Sequence, residues 1–442
     1  MTRFQTKRPL LIVIFGATSA FMTYFCMYAF RKPYTIGGYK DIQGWQGEIE
    51  FKIALILAQI FGYMLAKFIG VKVIAEMQPN RRATSILCMV LSGWLALLGF
   101  ALIPAPYSLG CLFINGLSLG MIWGLVFSFL EGRRSTEILG AVLATTFIIA
   151  SGLVRSVASF LLLKLHVPEL WMPFVTGSLF VLPLALSVYG LSLLPAPDAQ
   201  DIAARAKRQP MNAAARWQFF TTYAPGLLLL IGSFLLITGL RDFRDNFSAE
   251  LWQALGFGQE PGIFAYAGIR IAFLVLFALA AMVLIKSNRK AFYTNQGFIL
   301  FGASLMLLAT LGFEHQVVTG KSWMVLLGAG LYIAYIPYNC FLFDRMISAL
   351  QNDKAHQHIA ATANAGFLIY LADSAGYLGS VGILLYRTFF YGGADPLAFF
   401  IHLAYWVSGL TLALVCTAWA YFYFKLSASR SANTLRIPYE TS

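Results

Sequence analysis

Apolar runs of about 20 residues recur along this chain from one end to the other. A helix of that length spans a hydrocarbon core of about 30 Å, and the bilayer interior tolerates only elements that satisfy their own backbone. Twelve such spans can be placed, near 9–30, 51–75, 83–103, 107–130, 137–163, 170–195, 219–241, 261–285, 292–312, 322–348, 359–386 and 398–424. Charged residues make up 12% of the chain, about half of what a soluble domain carries. The expectation is an all-α polytopic membrane protein rather than two or three soluble domains.

The only long polar connector lies between the sixth and seventh spans and holds Pro197, Asp198, Asp201, Arg205, Lys207, Arg208 and Pro210. The expected division is therefore an N-terminal six-helix bundle at 1–195, a cytoplasmic linker at 196–218 and a C-terminal six-helix bundle with its tail at 219–442. Two bundles of six spans suggest an internal duplication. Arg3, Lys7, Arg8, Arg81, Arg82, Arg133, Arg134, Lys286, Arg289, Lys290, Arg430 and Arg436 fall at the termini and the even-numbered connections. By the positive-inside rule both termini are expected in the cytoplasm, in a bacterial-type inner (plasma) membrane. This placement absorbs much of the net charge of +13, so no nucleic-acid partner is implied.

The spans also carry cations: Arg31 and Lys32 at the end of span 1, Lys67, Arg155, Arg241 at the end of span 7, and Arg270. Each central charge costs about 2.5–3.5 kcal/mol to insert, so the six together cost on the order of 15 kcal/mol before snorkelling. Lys52 and Lys72, close to span ends, read as snorkelling or structural ion pairs. Tyr24, Tyr28 and Arg31 sit at i, i+4 and i+7 and share one helical face. Phenol hydroxyls with a guanidinium suit an oxyanion, because arginine offers a planar fork for two parallel hydrogen bonds. Acids within the spans are fewer. Asp373 reads as an ion-pair partner or a proton-coupling carboxylate, and Asp242 and Asp245 flank Arg244 beyond Arg241. A cavity with surplus cations attracts anions.

Other motifs lead nowhere. Gly320-Lys321-Ser322 lacks the preceding glycine of a phosphate loop, since His315 stands there. Gly376, Gly379 and Gly382 read as close helix packing. His356 and His358 read as loop residues, and the five cysteines as small packing residues without metal-ligand spacing. No cofactor, nucleotide-binding domain or nucleophile–base pair is implied, so the chain is not expected to be an enzyme.

Four stretches resemble the major facilitator superfamily and, within it, the organophosphate:phosphate antiporters that include glycerol-3-phosphate and hexose-phosphate transporters. They are Tyr24 to Lys32; Lys67-Phe68-Ile69-Gly70 with the turn Pro79-Asn80-Arg81-Arg82; Asn115-Gly116, Gly120-Met121 and Trp123; and Arg241. Weaker echoes are Tyr266 to Ile269 and Tyr335-Ile336-Pro337. The resemblance implies two halves rocking around a midplane site, with Arg31 and Arg241 clamping a phosphoryl group. Lys32 and Lys67 would add positive charge, and Tyr24, Tyr28 and Tyr335 would line the cavity. Some family positions differ: Ile149 stands where the family has a histidine, Ala265 where it has a glutamate, Arg270 where it has a proline, and Asn246 where it has an acid after the arginine. Arg155 and Asp373 are additions. These departures leave room for a larger or more highly charged anion.

The expected function is secondary active transport of a small anionic solute, phosphorylated or phosphonate, by a functional monomer with phosphate as counter-substrate. The alternatives are proton-coupled transport of a non-phosphorylated organic anion, such as a metal-chelating metabolite, and a transporter-like anion sensor.

Overall fold

The computed structural model describes residues 9–40, 42–130, 136–195, 213–283, 285, 287–351, 353, 357–360, 365–392 and 395–434. Most of the connector between spans 6 and 7, Arg133, Arg134, Lys286, Lys354, His356, Arg436 and the first eight residues lie outside them. Among the described residues every regular element is a helix, and twelve helices are long and apolar enough to cross a membrane. The spans are Leu11–Arg31, Phe51–Gly70, Pro79–Leu102, Ser108–Leu130, Thr146–Leu163, Met172–Ser192, Arg216–Asn246, Ile263–Ala281, Asn288–Glu314, Gly320–Cys340, Gly366–Phe390 and Pro396–Ser427, numbered 1 to 12 in that order.

One span is broken, and another stops short of its expected end. Span 4 consists of Ser108–Leu119 and Ile122–Leu130, parted at Gly120-Met121. Gly120 lies so close to span 2 that a Cβ there would meet the Ala66 Cβ at 2.5 Å and the Tyr63 carbonyl at 2.9 Å. Span 10 ends at Cys340, where the Phe341 N–H returns to the carbonyl of Pro337, and a new helix runs Leu342–Gln351. The expected single span over 322–348 is thus two helices, parted at Phe341. Span 7 departs in the opposite sense. It runs to Asn246, more than a turn past Arg241, which therefore lies within the helix and not at its end.

The chain forms two compact units. Unit 1 comprises Met1–Arg205, Phe243–Ala272 and Ile383–Phe399; unit 2 comprises Ala206–Asp242, Phe273–Gly382 and Phe400–Ser442. In unit 1, span 2 packs on span 4, span 1 on spans 5 and 6, and span 3 on spans 4 and 6. Met27, Phe30, Leu119, Ile122, Val126, Val154 and Val188 fill the space between them. Spans 2 and 4 meet at backbone distance because Gly62, Gly116 and Gly120 present no side chain at the crossing.

In unit 2, span 9 packs on span 10, with Gly302 and Gly330 facing each other's backbone. Gly376 and Gly379 of span 11 lie against Thr238 and Leu235 of span 7, as close packing requires, while Gly382 faces open space. Gly320-Lys321-Ser322 is the first turn of span 10, capped by the Thr319 hydroxyl accepting from the Ser322 N–H at 3.3 Å. The cysteines are all free, but only Cys26 and Cys111 are buried packing residues; Cys88 and Cys416 are exposed.

Candidate functional site

In unit 1 the span-1 stripe forms as its spacing predicts. The rings of Tyr24 and Tyr28 meet edge to face at 5.5 Å, and the Arg31 guanidinium carbon lies 5.9 Å from the Tyr28 centroid. A closer partner was missing from the sequence reading. Tyr63 of span 2 lies 3.8 Å beneath the Arg31 guanidinium and 5.7 Å from the Lys67 ammonium, so one buried ring serves both cations. The i, i+4 spacing of Tyr63 and Lys67 was the available signal.

A buried polar knot orients this group. Asn115 donates its amide to the carbonyls of Phe30 at 3.0 Å and Gly93 at 2.9 Å, and accepts from the Gln59 amide at 2.8 Å. Gln59 also donates to the Arg31 carbonyl at 3.0 Å and accepts from the Tyr34 hydroxyl at 3.1 Å. One asparagine and one glutamine thereby tie the last turn of span 1 to spans 2, 3 and 4.

Lys32 leaves this group. Consecutive helical residues point about 100° apart, and Lys32 instead donates to the Asn246 side chain at 3.0 Å. Around it, still within unit 1, Arg155 lies 3.5 Å and Arg244 3.6 Å from the Asp245 carboxylate. Lys52 pairs with Glu250 and donates to the Thr35 carbonyl at 2.7 Å, while Arg387 reaches Glu50 at 3.3 Å and lies over the Phe247 ring at 4.6 Å. The ion-pair reading of Lys52 holds, and Lys72 is exposed on its helix. Neighbouring Tyr39 has a backbone φ of 50°, and its N–H and that of Gly38 donate to Glu169 at 2.9 and 3.2 Å. Burial, reinforced by Glu169, pushes the Tyr39 phenol well above its ordinary range.

In unit 2, Arg241 carries its own counter-ion. Its Nε and Nη2 donate to one Asp242 oxygen at 3.0 and 2.7 Å, and the other oxygen accepts from the Ser380 hydroxyl at 2.7 Å. The guanidinium carbon lies 4.2 Å from the Tyr335 ring centroid, and that ring stacks on Phe234 at 5.2 Å. Asp242 and Ser380 were not singled out as site residues from sequence; the adjacency of Arg241 and Asp242 was the signal for the first. Asp373 lies half-buried on span 11.

Arg270 is not brought together with the other candidates. It is exposed on span 8, stacked on Tyr266 with its guanidinium carbon 3.6 Å from the ring centroid. Among the described residues no group of three or more metal-ligating side chains is assembled.

A family model covers residues 33–425 of the chain. The chain belongs to the family of unknown function DUF5690. No protein of curated function matches it in sequence. In structure this DUF5690 protein is similar to the nucleoside transporter NupG, at 14% identity and a TM-score of 0.60, over 93% of this chain and 99% of that one. It is similar to a D-xylose-proton symporter at 13% identity and a TM-score of 0.61, over 92% and 96% of the two chains. It is also similar to the peptide transporter POT, solved in complex with sulfate, at 14% identity and a TM-score of 0.59, over 95% of each chain. The fold is thus the twelve-helix, two-bundle fold of major facilitator transporters.

Proposed function

We propose that this DUF5690 protein is a secondary transporter that moves a small anionic solute by alternating access. The observation that carries the reading is the pair of tyrosine-backed arginines, Arg31 over Tyr63 in unit 1 and Arg241 over Tyr335 in unit 2. They lie in spans 1 and 7, which occupy the same place in each run of six. A ring beneath a guanidinium takes up one face of the plane, so a phosphoryl or carboxylate group is met through its edge, as the Asp242 carboxylate meets Arg241. The break in span 4 at Gly120-Met121 and the stop of the span-10 helix at Phe341, in spans of equivalent order in the two runs, support the same reading. Interrupted helices at matched places in a repeated fold mark substrate sites in transporters.

The finer reading is a phosphorylated or phosphonate solute exchanged for phosphate. It rests on the motif resemblance and on arginine's match to tetrahedral oxyanions. Arg81, Arg82, Arg289 and Lys290 support cytoplasmic even-numbered connections and, with them, cytoplasmic termini. Labelled phosphate uptake into proteoliposomes tests it: uptake should require internal phosphate and be lost in Arg31→Ala. Equal uptake into loaded and unloaded vesicles, or uptake that survives the substitution, would sink the exchange reading.

Asp242 favours a second mode of coupling. An anion that takes over the Arg241 fork displaces this carboxylate from its bonds to Nε and Nη2. A proton that enters with the anion balances the displaced charge, which would couple anion and proton entry. Uptake driven by an inward proton gradient without internal phosphate would establish that mode over exchange.

A further inference from the structure

We propose that the Tyr266–Arg270 face of span 8 binds the phosphate of an anionic phospholipid. The two faces of this helix differ sharply. On one, the Ala265 N–H donates to the Ser156 hydroxyl at 2.9 Å, and a Cβ added at Gly152 would sit 3.2 Å from the Gly268 Cα, so this face is packed on span 5. The other carries Tyr266, Ile269, Arg270, Phe273 and Phe277, spaced at helical intervals, with Phe273 73% and Phe277 80% exposed. A membrane span with so apolar an uncovered stripe faces acyl chains. A face lining a water-filled path would carry further polar side chains, and here Arg270 stands among Ile269, Phe273, Leu274, Leu276 and Phe277.

Arg270 is therefore a cation at the lipid boundary. Among the described residues no carboxylate lies within ion-pair distance of it; its contacts are the Tyr266 ring and the Tyr266 carbonyl, the latter at 3.3 Å. Its Cα lies seven residues into the span, about 10 Å from the helix start at 1.5 Å per residue. Side chains of a helix lean toward its N-terminus, and stacking on Tyr266 holds the guanidinium over the preceding turn. That places the charge within reach of the headgroup layer, while the aliphatic stem stays on apolar surface. The edge of the guanidinium not engaged with Tyr266 matches phosphate oxygens in two parallel hydrogen bonds. Ile269, Phe273 and Phe277 then lie along the acyl chains of the same lipid. Anionic lipids are selected over zwitterionic ones because phosphatidylcholine carries its own cation beside the phosphate.

The test uses full-length protein in detergent, with phosphatidylglycerol and phosphatidylcholine compared by native mass spectrometry and thermal stabilisation. Phosphatidylglycerol should bind more tightly, and Arg270→Gln should weaken it by about fivefold, the ratio expected for one basic residue at an anionic headgroup. Arg270→Lys should keep only part of the preference, since it keeps the charge and loses the fork, and it serves as the variant if the glutamine form does not fold. Equal binding of the two lipids by the wild type, or an unchanged preference in Arg270→Gln, overturns the proposal. Soluble glycerol phosphate reproducing the stabilisation would overturn the lipid as the source of the phosphate. A lipid-independent dimer that is lost in Arg270→Gln would overturn it in favour of a second copy of the chain.

Discussion

Replacing Asn115 by alanine is the sharpest test of how this protein holds its span-1 arginine in place. The side chain is fully buried and makes three hydrogen bonds, two donated to the carbonyls of Phe30 and Gly93 and one accepted from Gln59. Side-chain hydrogen bonds between membrane helices average about 0.6 kcal/mol and reach about 1.7. Three therefore total about 2 kcal/mol, with a ceiling of about 5. At roughly 2 °C per kcal/mol, the low end for large domains, the melting temperature in detergent should fall by about 4 °C. Asn115→Asp should cost more, because it buries a charge and cannot donate to both carbonyls. Gln59→Ala should be strongly non-additive with Asn115→Ala, since the two share a bond and anchor the same turn. Anion affinity should fall with stability in both variants, because the Arg31 carbonyl hangs from Gln59. Unchanged melting in Asn115→Ala, or additive losses in the double variant, would refute the knot as the element that positions Arg31.

Arg31→Lys and Arg241→Lys should each largely abolish transport, because an ammonium cannot reproduce the planar fork; wild-type uptake in both variants would remove the arginine pair from the mechanism. Asp242→Asn strips Arg241 of its counter-ion and should destabilise the protein by about 3 kcal/mol, the low end for breaking a buried pair. Added phosphate should then raise the melting temperature of that variant more than that of the wild type. Gly116→Ala should cost about 1–3 kcal/mol, since its Cβ would overlap the Gln59 carbonyl and force spans 2 and 4 apart. Gly110→Ala, with nothing within 4 Å of the added carbon, should be neutral or stabilising by up to about 1 kcal/mol in the same melts. The raised phenol of Tyr39 makes the folded protein hold a proton that the unfolded chain releases near pH 10, so this contribution is complete below that pH and declines above it. Tyr39→Phe should therefore melt like the wild type at pH 7, where the buried hydroxyl has no hydrogen-bond partner to lose, and show a shallower decline between pH 10 and 11.

The number and order of the spans, and the membrane itself as solvent, could be read from the chain because each depends on a property that twenty consecutive residues carry alone. A helix in hydrocarbon satisfies its own backbone, so length and hydropathy decide its existence before any neighbour is considered. The alignment of Tyr24, Tyr28 and Arg31 belongs to the same class, since helical periodicity fixes it within one element. Partners across elements are a different matter. That Tyr63 lies under Arg31, that Lys32 turns to Asn246, that Asp242 already occupies the Arg241 fork and that Arg270 is left exposed all depend on which helix lies beside which. Adjacent residues in one motif part company for the same reason: Arg31 and Lys32 read as one cationic pair, yet the helix turns them toward different neighbours. The break in span 4 arises the same way, where Gly120 is pressed against span 2. What one segment can do by itself was determined by its sequence, and the environment of each charge was decided by packing, because in a membrane the cost of a charge is set by what surrounds it.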